Sequence, residues 1–320
     1  MSRSITATGL PVLLVFLWTI PALGQDYPNR PLRIVTSGVG GAGDIAARLI
    51  GGELSSKLGQ QIIVDNRASG VIPVEVVVKS QPDGYTLLLY GPAVWLAPLL
   101  WEEMRFDPTK DLSPISFAVT SPNVLVVHPS LPVKSVRELI AFAKARPGQL
   151  NYGTAARGTS GYLAAELFKS MAGLNMVRIN YKGAGAVMTD LAAGHLHFSF
   201  ATASSSSAYV KSGQLRALAV TSERPSELVP GLPTVASAGL PGYVSASTTG
   251  IFAPRGTNPT IINRLALEIT KVLNSPTVKT RFKNLGSEVV AGSPEQLAEH
   301  MKSDVEKLGK VIRNADMIAK

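Results

Sequence analysis

Gly38, Gly40 and Gly43 stand as G-x-G-x-x-G in the stretch Ser37-Gly38-Val39-Gly40-Gly41-Ala42-Gly43-Asp44, directly after the apolar run Leu32 to Thr36. Residues of these types at this spacing suit anion binding, in which bare backbone amides at the start of a helix hold the anion and the helix dipole adds to the attraction. A second such stretch, Thr154-Ala155-Ala156-Arg157-Gly158-Thr159-Ser160, follows the run Leu150 to Gly153 and precedes a helix-like segment opening at Gly161. There the free amides would be joined by hydroxyls and by the Arg157 guanidinium, which together make a carboxylate receptor.

Asp65 closes the next apolar run, and with the three glycines it completes a dinucleotide fingerprint. Asp44 argues against that reading, because a carboxylate at the helix start already occupies the positive end of the dipole and repels a pyrophosphate. A helix cap after a flexible turn is the purely structural alternative. Catalytic groupings do not emerge. Gly158-Thr159-Ser160-Gly161 is not G-x-S-x-G, and Ser204 to Ser207 with Tyr209 reads as a polar loop entering a helix. His195 and His197 stand two apart on an expected strand, and without acids or cysteine beside them they read as a solvated strand rather than a metal pair. We assign no catalytic residue, no metal and no cofactor from the sequence.

The elements that must position these loops alternate between strand-like and helix-like, which predicts an α/β protein with parallel sheets covered by helices. In the first part the pattern predicts strands over Leu32 to Thr36, Gln61 to Val64 and Tyr85 to Tyr90, with helices over Asp44 to Leu58 and Val71 to Lys79. A second series opens with Val124-Leu125-Val126-Val127 and a helix capped by Ser135 and stopped at Pro147-Gly148. Leu150 to Gly153, Met176 to Asn180, His197 to Phe200 and Leu215 to Thr221 continue it as strands, with helices over Ser160 to Met171 and Ala186 to Ala193. Val244 to Phe252 reads as a further strand, and helices are expected to fill the rest, over Pro259 to Leu273, Thr277 to Leu285 and Pro294 to Asn314. The chain is therefore expected to leave a first domain near Asn123 and return near Ser245. That gives residues 25–123 plus 245–320 as one domain, residues 124–244 as the other, and a ligand cleft between them at the carboxyl ends of the strands.

Composition narrows the class. The chain has 320 residues, no cysteine and a formal charge of +9, so stability must come from buried apolar surface, of which this length supplies two cores. A basic balance favours acidic ligands; nucleic acid is excluded because the bases do not cluster and aromatics are few. Residues 1–24 hold one charge, Arg3, then the apolar run Leu10 to Trp18, then Ile20-Pro21-Ala22-Leu23-Gly24. This is the order of a secretory signal peptide cleaved after Gly24, and it is too short for a spanning helix.

Ordered stretches along the chain include Pro31-Leu32-Arg33-Ile34-Val35, Asp44-Ile45-Ala46-Ala47-Arg48-Leu49, Asp65-Asn66-Arg67 and Pro82-Asp83-Gly84-Tyr85-Thr86-Leu87-Leu88. Further on come Pro122-Asn123-Val124-Leu125-Val126-Val127, Pro147-Gly148-Gln149-Leu150-Asn151-Tyr152, Tyr181-Lys182-Gly183 and Leu232-Pro233-Thr234-Val235. Together they resemble the Bug-type extracytoplasmic solute receptors of tripartite tricarboxylate transporters, over the chain after the signal segment. The resemblance implies a periplasmic-binding-protein type II-like fold with a two-crossing hinge, and a small organic acid pinched between the domains. The implied binding residues are Ser37, Gly38, Gly40, Gly41, Ala42 and Asp44 on one side, then Gly91. Opposite stand Thr154, Ala155, Arg157, Gly158, Thr159, Ser160, Lys182, Gly183, Ala201 and Thr202.

The implied partners are the permease subunits of such a transporter, with the receptor itself a periplasmic monomer. Four departures fall at the loops: Ser37-Gly38-Val39 stands for Phe-Ala-Pro, Ala68 to Pro73 is a shortened loop, Ala201 replaces an acid and Thr248 an aromatic. An atypical ligand is therefore expected. The alternatives that stay open are a nicotinamide-dependent oxidoreductase and a sensory or scaffold receptor.

Overall fold

The computed structural model describes residues 27–68 and 70–314. The expected signal segment, residues 1–24, lies outside the described residues. The chain opens with β1 (Leu32–Thr36), α1 (Ala42–Leu58), β2 (Ile62–Asn66), α2 (Ile72–Val78), β3 (Thr86–Tyr90) and α3 (Ala97–Leu100). Strand β1 is parallel to β2 on one side and to β3 on the other, with Ile34 opposite Val64 and Leu87. Its near-continuous apolar run follows from burial on both faces. Ile34 points into a core with Ile50, Leu54, Leu87 and Leu265, whereas Val35 points into another with Val74, Val77, Leu88 and Trp95.

A long strand, β4 (Leu112–Val127), then leads into α4 (Val136–Ala145), β5 (Asn151–Thr154), α5 (Ser160–Ala172), β6 (Val177–Asn180) and α6 (Ala184–Ala192). They are followed by β7 (Phe198–Thr202), α7 (Ala203–Lys211) and β8 (Arg216–Val220). Helices α4 and α5 cover one face of these strands, with Leu139 of α4 and Phe168 of α5 in one core with Tyr152 and Phe198. On the other face Met188 and Leu191 of α6 meet Val124, Val126 and Ala201. As expected, Ser135 caps α4, its Oγ accepting the Glu138 amide at 3.2 Å.

The chain returns through β9 (Ala246–Pro254) to α8 (Pro259–Asn274), α9 (Pro276–Asn284), β10 (Glu288–Gly292) and α10 (Pro294–Asn314). Strand β4 belongs to both sheets. From Leu112 to Pro122 it pairs antiparallel with β9, and β10 joins its other edge; from Asn123 to Val127 it pairs with β7 and, from Val124, with β8. Thr221 fastens this handover. Its hydroxyl accepts the Asn123 amide at 3.0 Å and donates to the Ser245 carbonyl at 2.7 Å, so it bridges the outgoing and returning segments.

Three expectations are corrected. Val124–Val127 is the end of a strand that begins at Leu112, not the start of a series. The last segment is not all helix, because Glu288–Gly292 adds an edge strand to β4. His195 and His197 precede β7 rather than lying on it; His197 Nδ1 sits 2.7 Å from Asn151 Oδ1, and His195 lies beside Asp190.

Candidate functional site

The carboxyl ends of β1, β3, β5 and β7 and the start of β9 meet around a cavity of about 90 Å³, several times the ~10–15 Å³ that one water requires. Its lining carries Ser37, Gly38, Gly41, Ala42 and Gly43 from the β1–α1 loop and Tyr90, Gly91, Pro92 and Ala93 after β3. Facing them are Thr154, Ala155, Gly158, Thr159, Ser160 and Gly161, with Ala184, Val187 and Met188 of α6, Ser199 to Thr202 of β7, Ser205 and Ser247 to Thr249. Among the described residues no lysine, arginine, histidine or carboxylate lines it.

Its electrostatics come from helix ends. Helices α1, α5, α6 and α7 all begin at this wall, and the caps of the first three, Gly41, Thr159 and Gly183, make no side-chain cap bond. Their first-turn amides are thus not consumed by side-chain caps; at α1 the first-turn carboxylate of Asp44 offsets the dipole, so the positive ends of α5, α6 and α7 supply most of the attraction toward a lining that holds no carboxylate. The Thr154 hydroxyl is buried without a hydrogen-bond partner, a state that costs about 1–3 kcal/mol unless a guest satisfies it. Such a site attracts an anion with oxygen acceptors and fits carbon against Val187, Met188 and Ala201.

The structure separates the expected residues by role. Ser37, Gly38, Gly41, Ala42, Gly91, Thr154, Ala155, Gly158, Thr159, Ser160, Ala201 and Thr202 reach the cavity together; Gly40, Asp44, Arg157, Lys182 and Gly183 do not line it. Asp44 is buried in the first turn of α1 rather than at its cap. Its carboxylate accepts the Gly40 amide at 3.0 Å and Asn66 Nδ2 at 2.9 Å and pairs with Arg48 at 2.9 Å, so it shapes the loop. Arg157 lies with its guanidinium carbon 5.7 Å from the Tyr162 ring centre, as a cation against an aromatic face. Lys182 and Gly183 press their backbone on Gly38, and the Gly185 amide donates to the Val39 carbonyl at 3.2 Å, which joins the two halves over the cavity.

Ser160 does not cap α5. Its hydroxyl lies 3.2 Å from Asn123 Oδ1, and Thr159 holds the cap position. Residue-by-residue reading of the chain missed Tyr90, Val187, Met188, Ser199, Ser205, Ser247 and Thr249, and Thr248 entered it only as a departure from the resembled family. The signal for most was position alone, since they end or follow a strand, or begin the returning one. Behind α5 the Tyr152 hydroxyl donates to Glu166 at 2.7 Å, and Arg178 pairs with the same carboxylate at 3.1 Å. Burial first, then the Glu166 charge, drives the Tyr152 phenol far above its ordinary range.

The geometry leaves little for a dinucleotide. Asp65, which would hold a ribose, is paired with Arg67 at 2.8 Å and Arg33 at 3.5 Å, and the glycine loop is covered by residues 182–185.

Comparison with known proteins agrees. The family model described as "TctC: Tripartite tricarboxylate transporter family receptor" matches residues 46–317. Protein BugT of Bordetella pertussis is 34% identical over 313 residues, covering 95% of this chain and 96% of its own. A solved R. palustris structure with adipate is 36% identical with a TM-score of 0.88, covering 91% of this chain and 99% of that one. MatC from Rhodopseudomonas palustris with bound malate is 26% identical with a TM-score of 0.86, covering 89% of this chain and 100% of that one.

Proposed function

The chain belongs to the tripartite tricarboxylate transporter receptor family, and from that premise we propose that it is a periplasmic receptor that closes around one small organic acid. The observation that carries the reading is the convergence of four helix N-termini on a cavity whose lining holds no carboxylate. Neutral donors hold the acid, and no group is needed for bond-making. Adipate and malate in the related structures make C4 to C6 dicarboxylates the first acids to test.

We place the closing bodies at residues 25–123 with 245–320 and residues 124–244, export through a signal segment ending at Gly24, and delivery to a two-subunit membrane permease. No helix among the described residues is long and apolar enough to cross a membrane.

Thermal denaturation and calorimetry against adipate, malate and a series of C3 to C8 mono- and dicarboxylates test this. An acid at 100 times its Kd adds about 2.7 kcal/mol to stability, and closure lowers the scattering radius. Absence of any shift across the series overturns the proposal. Saturable binding of reduced nicotinamide cofactor would favour the oxidoreductase instead.

A further inference from the structure

The cavity wall at Thr248 is backed by a polar cluster that lies outside the cavity lining. His300 of α10 places Nε2 3.1 Å from Thr248 Oγ1 and 3.4 Å from Asp304 Oδ2. Asp304 also accepts the Trp95 indole N–H at 3.1 Å. The imidazole is held flat against Phe117, ring centres 4.7 Å apart, and edge-on to Trp95.

Asp304 Oδ2 stands 3.4 Å from Nε2, and a bare lone pair on that nitrogen would face the carboxylate oxygen, so the arrangement favours a hydrogen on Nε2, shared toward Thr248 at 3.1 Å. The Thr248 hydroxyl then faces a donor, which occupies its acceptor side. Its own proton is left over, and among the described residues the hydroxyl makes no other hydrogen bond. Thr248 is 5% exposed and lines the cavity. Asp304 thereby anchors two walls at once, the strand through His300 and the loop after β3 through Trp95. These walls touch at Gly91, where an added Cβ would stand 2.7 Å from the Thr248 carbonyl oxygen.

We propose that His300 is a positioning residue for ligand capture: its Nε2–H turns the Thr248 hydroxyl into a donor aimed at an oxygen of the guest acid. The inference rests on the receptor reading of the same cavity. It assigns the C-terminal helix a part in affinity although none of that helix lines the site.

Two measurements test it. In the ligand-free protein, long-range proton–nitrogen correlation reads the His300 tautomer, with Nε2 protonated expected in the wild type. An Nδ1-only proton overturns the proposal whether or not any acid binds. Calorimetry with adipate as probe then compares His300→Leu, Thr248→Val and the pair. Each single change is expected to weaken binding about tenfold, the effect of one hydrogen bond to a charged acceptor. The double variant should be no weaker than Thr248→Val, because the histidine acts only through that hydroxyl. His300→Gln and Thr248→Ser, which keep the N–H and the hydroxyl, should stay within about threefold of wild type. Multiplying losses in the double variant, or His300→Leu binding as wild type, would overturn the proposal. Failure of wild type to bind any carboxylate strikes the receptor reading, while the tautomer still decides the histidine's arrangement.

Discussion

Gly38 lies so close to the Lys182 carbonyl oxygen that a Cβ on Gly38 would stand 2.6 Å from it. The contact joins the glycine loop of one half to the β6–α6 loop of the other, so it exists only while the halves are together.

Gly38→Ala should therefore penalise the closed state and spare the open one. Adipate affinity is expected to fall about tenfold or more, since each factor of ten needs only ~1.4 kcal/mol. The melting temperature of the free protein should barely move. Calorimetry beside thermal denaturation checks this, and unchanged affinity would show that the loops do not meet in the bound form.

Asp44→Ala removes the acceptor for the Gly40 amide and Asn66 Nδ2. The Gly40 amide, one Asn66 N–H and the Arg48 guanidinium lose their partner at a position that is 3% exposed, and a loss of about 2 kcal/mol in urea unfolding is expected, with weaker acid binding. Asp44→Asn, which keeps one acceptor oxygen, should lose less in both assays.

Glu166→Gln tests the network behind α5. The carboxylate serves Tyr152 and Arg178, and replacing it leaves a half-buried guanidinium short of its counter-charge. Breaking a fully buried pair costs about 3–5 kcal/mol, and partial exposure of Arg178 reduces the expected loss to about 2–3 kcal/mol. Urea titration measures it. A loss as large in an Arg178→Met, Glu166→Gln double variant as the sum of the singles would show that the two do not act as a pair.

Alkaline titration follows from Tyr181. Burial first, then the hydrogen bond and charge of Asp190, push its phenol up to about 12. The folded state holds this proton more tightly than the unfolded chain does. The contribution is complete below the unfolded value near 10 and is lost as pH rises from there to about 12. Absorbance at the phenolate band should show Tyr181 ionising late, and Tyr181→Phe should flatten the stability change across that window. Ionisation of every tyrosine near pH 10 would contradict the arrangement.

The glycine loop was legible because its signal is local: an apolar strand, three glycines and a helix follow one another within one stretch of chain. The first part of β4 was not. Pro114 and Pro122 interrupt it, and its pairing with β9 shifts register twice, between Pro114 and Ser116 and between Phe117 and Val119, so no clean alternation survives. Strand β10 is five residues at a sheet edge whose partner lies in β4, and nothing nearby in the chain announces it. Arg157 was expected to reach the guest because cations suit carboxylates, yet its guanidinium lies over Tyr162.

Taken alone, the order of residues determined the α/β class, the two anion-ready loops and the family likeness, because these depend on neighbours in the chain. Folding in three dimensions decided that Asp44 shapes the loop instead of meeting the guest, and that Thr248 reaches a cavity shared with Gly91 and backed by His300. Such outcomes depend on which distant backbones approach one another, and a long side chain takes whichever partner that packing leaves within reach.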